Sequence, residues 1–342
     1  MSYTASAIRD LAPSFDGDLF LAALFERTVY LWNMETGNCL SEFPTVMDSG
    51  GERLVLSQKH SVVLAAAYER HGLACYGLPE GRLRWQRRDL KKIQAIRLDP
   101  DEQLAYCCFD ERPCYSLSLE DGRTVGRIQR VRDIWLDRYN GLCLEHRKGK
   151  LPPKEPDWKD LVFHPRQLFS RIGRSIDRRF GGRLGYPLDP QYDRELCVVD
   201  SRRKEVFRIE PEGFDILDVA FSREYLAVSE AGGPLRIFAL SSGREILRHS
   251  WEEGWVLQVA SLGGGPVFHG VHNCDPLVLL RFTPGSKEPE TIRTLGPLAA
   301  ATAFCRAGAQ LITSDGELID CRTGQTIGQF AFPQAEYPDE PE

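Results

Sequence analysis

Short runs of alternating apolar and polar residues recur along this chain, and a polar turn separates successive runs. The pattern is clear in VYLWNMETGNCL (29–40) and RIFALSSGREIL (236–247). Five further segments share it: ACYGLPEGRLRW (74–85), CYSLSLEDGRTV (114–125), CVVDSRRKEVFR (197–208), VLLRFTPGSKEP (278–289) and ELIDCRTGQTIG (317–328). Alternation with a period of two residues is typical of β-strands, so each segment predicts a hairpin.

Glycine marks six of the seven hairpin turns. The turn positions are Gly37, Gly81, Gly122, Lys204, Gly243, Gly285 and Gly324. They lie 39 to 44 residues apart, except for one interval of 82 residues. Glycine suits such turns because it adopts a positive φ without steric cost. Lys204 therefore predicts a distorted or longer turn.

A second hairpin pattern precedes these turns, for example in IRLDPDEQLAYC (96–107) and IWLDRYNGLCL (134–144). Each repeat of roughly 40 residues therefore contains four short strands, which we name a, b, c and d. Four-stranded units at this period are typical of the blades of a β-propeller.

The stretch IRDLAPSFDGDLFLAALFERTVYLWNMETGNCLSEF (8–43) resembles a WD40 repeat over its whole length, with Trp32-Asn33 where that family has Trp-Asp. Val199-Asp200 and Ile319-Asp320 occupy equivalent positions. No repeat carries the Gly-His pair that precedes strand a in that family. The chain thus resembles the broad WD40-like or quinoprotein-like propeller superfamily, and this resemblance implies the fold and leaves function open.

The doubled interval allows two interpretations, an eighth blade or an insertion in the fourth. Residues 147–190 are rich in proline and show no alternation, which favours an insertion between strands b and c of blade 4. The predicted fold class is all-β, a seven-bladed β-propeller over residues 5–332 with a helical basic insertion in blade 4. The proline-rich acidic tail, 333–342, is predicted to be disordered.

The predicted helix in the insertion follows from its apolar spacing. Pro165 is suited to a first helical position, and Gly181-Gly182 is suited to end a helix. Apolar residues recur at helical spacing between them: Leu168, Phe169, Ile172, Ile176 and Phe180. This apolar stripe has three possible partners: the propeller itself, another protein, or an anionic lipid or nucleic acid.

Charge is distributed unevenly along the chain. The whole chain carries −6, but the insertion holds eleven basic and five acidic residues, so its charge is +6 and that of the remainder is −12. In a WD40-like blade the b–c loop lies on the top face, where propellers bind partners. The insertion is therefore the first candidate for a partner contact.

The chain shows little sign of local chemistry. FHGVHNCD (268–275) is the one segment that resembles a metal site, but in a strand its two histidines point to opposite faces. We therefore predict no metal and no cofactor. No nucleophile motif, phosphate-binding loop or dinucleotide fingerprint is present, so no catalytic residue is assigned.

Composition places the chain among globular proteins. Its 342 residues are 42% hydrophobic and 27% charged, and no apolar run approaches the length of a membrane span. The start has no signal-peptide pattern, and the ten cysteines include no CxxC pair, which favours reduced thiols. These features predict a cytoplasmic protein.

The resulting functional hypothesis is a non-catalytic protein–protein interaction module, either a scaffold or an inhibitor such as an immunity protein. A protein partner is expected at the top face and the basic insertion, while nucleic acid or an anionic membrane is a less favoured partner. The candidate contact residues are Trp158, Arg166, Arg171, Arg174, Arg178, Arg179 and Trp255. The alternative is a propeller enzyme or small-ligand binder that uses the central channel.

Overall fold

The chain forms seven four-stranded antiparallel sheets, each built from four consecutive strands, and one additional two-stranded sheet. This architecture comes from a computed structural model. It describes residues 4–6, 8–14, 20–25, 27–45, 53–66, 72–109, 112–148, 194–213, 215–274, 276–296 and 302–336. The predicted seven-bladed β-propeller is confirmed.

The strands of the first four blades run in the order a, b, c, d. Strand β1 (Thr4–Ser6) precedes them. Blade 1 contains β2 (Ile8–Pro13), β3 (Phe20–Phe25), β4 (Thr28–Asn33) and β5 (Cys39–Pro44). Blade 2 contains β6 (Arg53–Ser57), β7 (Val62–Ala66), β8 (Leu73–Gly77) and β9 (Arg82–Arg87). Blade 3 contains β10 (Ile93–Leu98), β11 (Leu104–Phe109), β12 (Cys114–Ser118) and β13 (Thr124–Ile128). Blade 4 contains β14 (Val131–Leu136), β15 (Cys143–Lys148), β16 (Arg194–Val199) and β17 (Glu205–Ile209).

The remaining three blades follow the same order. Blade 5 contains β18 (Asp215–Phe221), β19 (Tyr225–Ala231), β20 (Leu235–Ala239) and β21 (Glu245–His249). Blade 6 contains β22 (Val256–Ser261), β23 (Phe268–His272), β24 (Val278–Phe282) and β25 (Glu290–Thr294). Blade 7 contains β26 (Thr302–Cys305), β27 (Gln310–Thr313), β28 (Glu317–Asp320) and β29 (Thr326–Gln329). Strand β30 (Gln334–Glu336) ends the described chain.

The hydrophobic core lies between blades rather than at the centre of the ring. Seven apolar clusters are present, and each joins two neighbouring blades. Strand β3 shows how the sequence produces this arrangement: Ala22 and Leu24 pack with blade 2, whereas Leu21 and Ala23 pack with blade 7. Because successive side chains of a strand point to opposite faces, an inner strand between two blades must be apolar at every position.

The turns between strands c and d are stabilised by their own polar side chains. Asn33 Oδ1 accepts hydrogen bonds from the backbone N–H groups of Glu35 and Thr36, both at 2.9 Å. Asp320 Oδ1 accepts the equivalent bonds from Arg322 at 2.8 Å and Thr323 at 2.9 Å. A short acceptor side chain is favoured here because it replaces a backbone partner in the turn.

The turn glycines also join one blade to the next. Gly81 and Gly122 have φ of 67° and 70°, as their turn positions predicted. A Cβ on Gly81 would lie 2.0 Å from Cγ of Phe43 in blade 1, and one on Gly122 would lie 2.6 Å from Cε3 of Trp85 in blade 2. Each turn thus packs against the outer strand of the preceding blade, so glycine is required by contact as well as by φ.

The turn of blade 4 differs from the prediction for Lys204. Arg203, not Lys204, has the positive φ, at 65°. The backbone N–H of Asp200 bonds to the carbonyl of Lys204, whereas the N–H of Asn33 in blade 1 reaches one residue further, to Asn38. The turn is therefore one residue shorter, not longer, and the side chain of Arg203 forms an ion pair with the buried Glu145.

The chain termini close the ring. Blade 7 takes all four strands from the C-terminal side, and β1 then pairs with β30, with Thr4 opposite Glu336. Trp32 of blade 1 also packs edge-on against Phe332, with ring centroids 4.8 Å apart. Three residues of the tail that was predicted to be disordered thus form a strand, while residues 337–342 lie outside the described part of the chain.

The helical insertion predicted for blade 4 is corrected by the structure. The residues that the structure describes contain no helix, and so none that could cross a membrane. Strands β15 and β16 stay paired as far as Lys148 and Arg194, so Arg147 and Lys148 belong to the blade and not to the insertion. Residues 149–193, with the predicted apolar stripe, lie outside the described residues. Apolar residues at helical spacing are weak evidence for a helix unless the apolar stripe packs against another surface.

Gly122→Ala should destabilise the propeller more than Gly285→Ala. Both glycines have a positive φ, but a Cβ on Gly285 would meet no described atom within 4 Å. We expect Gly285→Ala to cost about 1 kcal/mol of unfolding free energy from backbone strain. Gly122→Ala should cost roughly 2–4 kcal/mol because it also collides with Trp85. Equilibrium urea unfolding measures both, and equal costs in the Trp85→Ala background would confirm the collision.

A chain that ends at Pro333 should be less stable than one that ends at Glu336. The first lacks β30 and its pairing with β1, whereas the second retains both. We expect a loss of roughly 1–3 kcal/mol for the shorter chain, because the backbone hydrogen bonds that join the termini are removed. Thermal and urea unfolding of the two chains test this, and equal stability would show that the pairing contributes nothing to ring closure.

Candidate binding face and central channel

All b–c loops and d–a crossovers lie at one end of the ring, because the strands of every blade alternate in direction. We call this end the top face, and the end with the a–b and c–d turns the bottom face. Since β15 ends at Lys148 and β16 begins at Arg194, both ends of the basic insertion lie at the top face. Six predicted contact residues fall outside the described residues: Trp158, Arg166, Arg171, Arg174, Arg178 and Arg179.

Trp255, the seventh predicted contact residue, lies on the top face just before β22. It is half-buried, and its carbonyl accepts the N–H of Asn273 at 2.8 Å. Beside it, Trp251 is stacked on His272 with ring centroids 4.6 Å apart and lies edge-on to His249 at 4.5 Å. Burial and the neighbouring His249 lower the pKa of His272. This crossover is therefore a packed aromatic joint between blades 5 and 6, with only part of its surface exposed.

The histidines of FHGVHNCD lie in different surroundings. His269 is fully buried, with Nδ1 3.1 Å from the carbonyl oxygen of Gly308 in blade 7. His272 packs on Trp251 instead. Within the described part of the chain, no three His, Cys, Asp or Glu side chains converge as a metal site would require.

The innermost strands of all seven blades surround a central cavity of about 440 Å³. Most of its lining is apolar, including Leu56, Ile96, Val219 and Phe304. Polar side chains are few: Ser14, Arg97, Arg138, Tyr139, Asp218, Gln258 and Ser261. The channel is therefore an apolar cavity with a small number of charged groups, which is the usual character of a small-molecule site.

Polar side chains at the start of the a strands link successive blades. Asp10 Oδ2 of blade 1 accepts the backbone N–H of Leu54 in blade 2 at 2.7 Å. Asp218 Oδ2 of blade 5 accepts the N–H of Val259 in blade 6 at 2.9 Å. Gln258 of blade 6 donates to the carbonyl of Thr302 in blade 7 at 2.7 Å. Side chains at this position of the a strands therefore bind the next blade, and the carboxylates among them place negative charge near the channel.

Arg97 is the principal cation in the channel. Its Nη2 lies 3.2 Å from Asp133 Oδ2, and its guanidinium carbon lies 5.3 Å from the ring centroid of Trp135. Burial raises the pKa of Asp133, and Arg97 offsets part of that rise. Burial also raises the pKa of Asp218 to about 6, although the N–H of Val259 and the charge of Arg97 oppose it. Asp218 therefore gains or loses a proton near neutral pH.

These channel residues were not among the sites found from the sequence. Trp135 is only 5% exposed and packs in the core, but it also lines the channel. A signal was available, because Asp10, Asp133 and Asp218 occupy the same position in IRDL (8–11), VRDI (131–134) and ILDV (216–219). A carboxylate that recurs at one position of an otherwise apolar strand indicates a shared environment.

Comparisons with known proteins support the fold alone. No family model and no curated protein matches the chain. Among solved structures, the computationally designed Ika8 protein is similar to it, with a TM-score of 0.59 and 13% sequence identity. The match covers 98% of this chain and 90% of that chain. At this identity the similarity says nothing about activity or partners.

Asp218 should make the protein less stable as the pH rises from about 4 to about 6. The folded state holds the proton of Asp218 more tightly than the unfolded state, so this contribution is fully present below pH 4 and lost above the folded pKa. Relative to Asp218→Asn, the wild-type unfolding free energy should fall by up to roughly 3 kcal/mol over this range. Urea unfolding at several pH values measures this difference. The exposed Asp121, whose pKa is lowered, provides the control, because Asp121→Asn should not reproduce the fall.

Proposed function

We propose that this propeller is a non-catalytic protein–protein interaction module that binds an acidic protein surface through its top face, with the basic insertion as the main contact. The single observation that carries the proposal is the position of the insertion: Lys148 and Arg194, which flank it, are paired at the top face. The role is that of a scaffold or of an inhibitor that covers its partner, as an immunity protein does.

Charge supports a partner contact for this segment. Without Arg147 and Lys148, which belong to β15, residues 149–190 carry +4 and the rest of the chain carries −10. A separated cluster of positive charge steers an acidic partner and increases the rate of association. Trp255 and Trp251, which are half-buried on the same face, add aromatic surface of the kind enriched at binding hot spots.

We also propose that the chain is related to the WD40-like superfamily. The support comes from the c–d turns, where Asn33 and Asp320 end strand c, Asp200 directly follows it, and all three accept backbone N–H groups of the turn. These are the positions that in the sequence resemble the Asp of a WD40 repeat.

The insertion can be removed cleanly because its flanking residues are paired. Lys148 and Arg194 are direct partners across β15 and β16, so a short Gly-Ser linker can replace residues 150–188. A second variant reverses three charges with Arg171→Glu, Arg174→Glu and Arg178→Glu. The matched control reverses three exposed arginines in bottom-face turns, with Arg123→Glu, Arg202→Glu and Arg244→Glu.

We expect the full chain and the bottom-face control to bind the same purified partner, first identified by affinity purification from the source cells. The deletion and the insertion reversal should bind it at least tenfold more weakly, with slower association that depends on salt. Unchanged thermal unfolding shows that each variant is folded. Retained binding by the folded deletion variant would exclude the insertion as the contact. Preferential binding to nucleic acid or anionic vesicles would show that the partner is not a protein.

A further inference from the structure

The central cavity has the size and the openness of a ligand site. Its volume of about 440 Å³ lies within the range of small-molecule pockets, and it is open to solvent. Leu56, Ile96, Val219 and Phe304 provide an apolar wall from four different blades.

Arg97 and Asp218 line this cavity from the a strands of blades 3 and 5, and a second cation, Arg138, lines it from the a–b turn of blade 4. The side chain of Arg97 in blade 3 remains 35% exposed although it pairs with Asp133. Asp218 in blade 5 accepts the backbone N–H of Val259, and the described residues provide no ion-pair partner for it within 4 Å. Its carboxylate is therefore a half-buried anion without a paired cation, which is costly in an apolar environment.

Two buried N–H groups beside the cavity also have no partner. The described residues offer no hydrogen-bond acceptor to Nε of Arg97 or to Nε1 of Trp135. The two side chains are neighbours, because the guanidinium lies against the indole ring. Unsatisfied donors are rare in protein interiors, and each costs stability until an acceptor binds.

We infer that the channel binds a small zwitterion with an apolar side chain, the chemistry of a free α-amino acid. The carboxylate of the ligand pairs with the exposed part of the Arg97 guanidinium, beside the Trp135 ring, and its ammonium group pairs with Asp218. The apolar side chain contacts the wall formed by Leu56 and Val219. This binding site is independent of the top-face contact.

Charge balance favours a zwitterion over a simple ion. A lone anion at Arg97 would lie near Asp133, which is 3.2 Å from the guanidinium, and a lone cation at Asp218 would share the cavity with Arg97. A zwitterion places its carboxylate beside Arg97 and its ammonium group beside Asp218. Charge-assisted hydrogen bonds of this kind are the strongest that a small ligand forms with a protein.

The indole N–H signals of the full chain provide a direct test. The chain has six tryptophans, and Trp135→Phe identifies the signal of Trp135 in a ¹H–¹⁵N spectrum. We expect L-leucine or L-phenylalanine to shift that signal in a saturable way at millimolar concentration. Leucinamide, which lacks the carboxylate, and 4-methylpentanoate, which lacks the ammonium group, should each bind at least tenfold more weakly than L-leucine.

Two variants assign each charge to its residue. Arg97→Gln should remove the preference for L-leucine over leucinamide, and Asp218→Asn should remove the preference for L-leucine over 4-methylpentanoate. Asp121→Asn, in an exposed bottom-face turn, should keep both preferences. If either channel variant fails to fold, the ligand series on the unchanged protein decides. No shift of Trp135 with either amino acid, or equal binding of L-leucine and both analogues, would overturn the inference.

Discussion

A blade of this propeller can bury its two apolar faces only against its neighbours, and the rest of the structure depends on this constraint. Each of the seven apolar clusters joins two blades, and none lies within a single sheet. An open ring would leave two such faces in water. Closure is therefore the condition for burying the core, and the pairing of β1 with β30 holds the first and last parts of the chain together where the ring closes.

The same constraint explains why the turns repeat so regularly. The c–d turn of one blade must approach the outer strand of the preceding blade, and Gly81 and Gly122 allow that approach beside Phe43 and Trp85. Where glycine is missing, in blade 4, the turn shortens and Arg203 adopts the positive φ. The side chain of Arg203 also forms an ion pair with Glu145, which is 1% exposed, so this residue makes a charged contact that a glycine cannot make.

Ring closure also creates the channel and concentrates charge within it. Seven a strands converge but leave a cavity of about 440 Å³, and Arg97 and Asp218 line it from two of them. Asp10 and Asp218 use one carboxylate oxygen each to bind the next blade, and Asp133 pairs with Arg97. Of these carboxylates, Asp218 also lines the cavity, while the basic insertion begins and ends at the top face. The fold thus offers two separate surfaces for recognition.

Much of the fold could be predicted from the sequence because its signals are local. Alternation with a period of two, glycine at the turns and the spacing of the repeats indicated seven blades, and each signal depends on residues close together in the chain. The spacing of Leu168, Ile172 and Ile176 also predicted a helix, but these residues lie outside the described part of the chain, which contains no helix. Local patterns gave no indication of the pairing of β1 with β30, because its two strands lie at opposite ends of the chain. The tertiary structure alone brought Arg97 beside Asp133, 36 residues away, and placed Asp218 of blade 5 within range of its charge. Interactions that depend on the closed ring cannot be predicted from local pattern, because no short segment of the chain contains both partners.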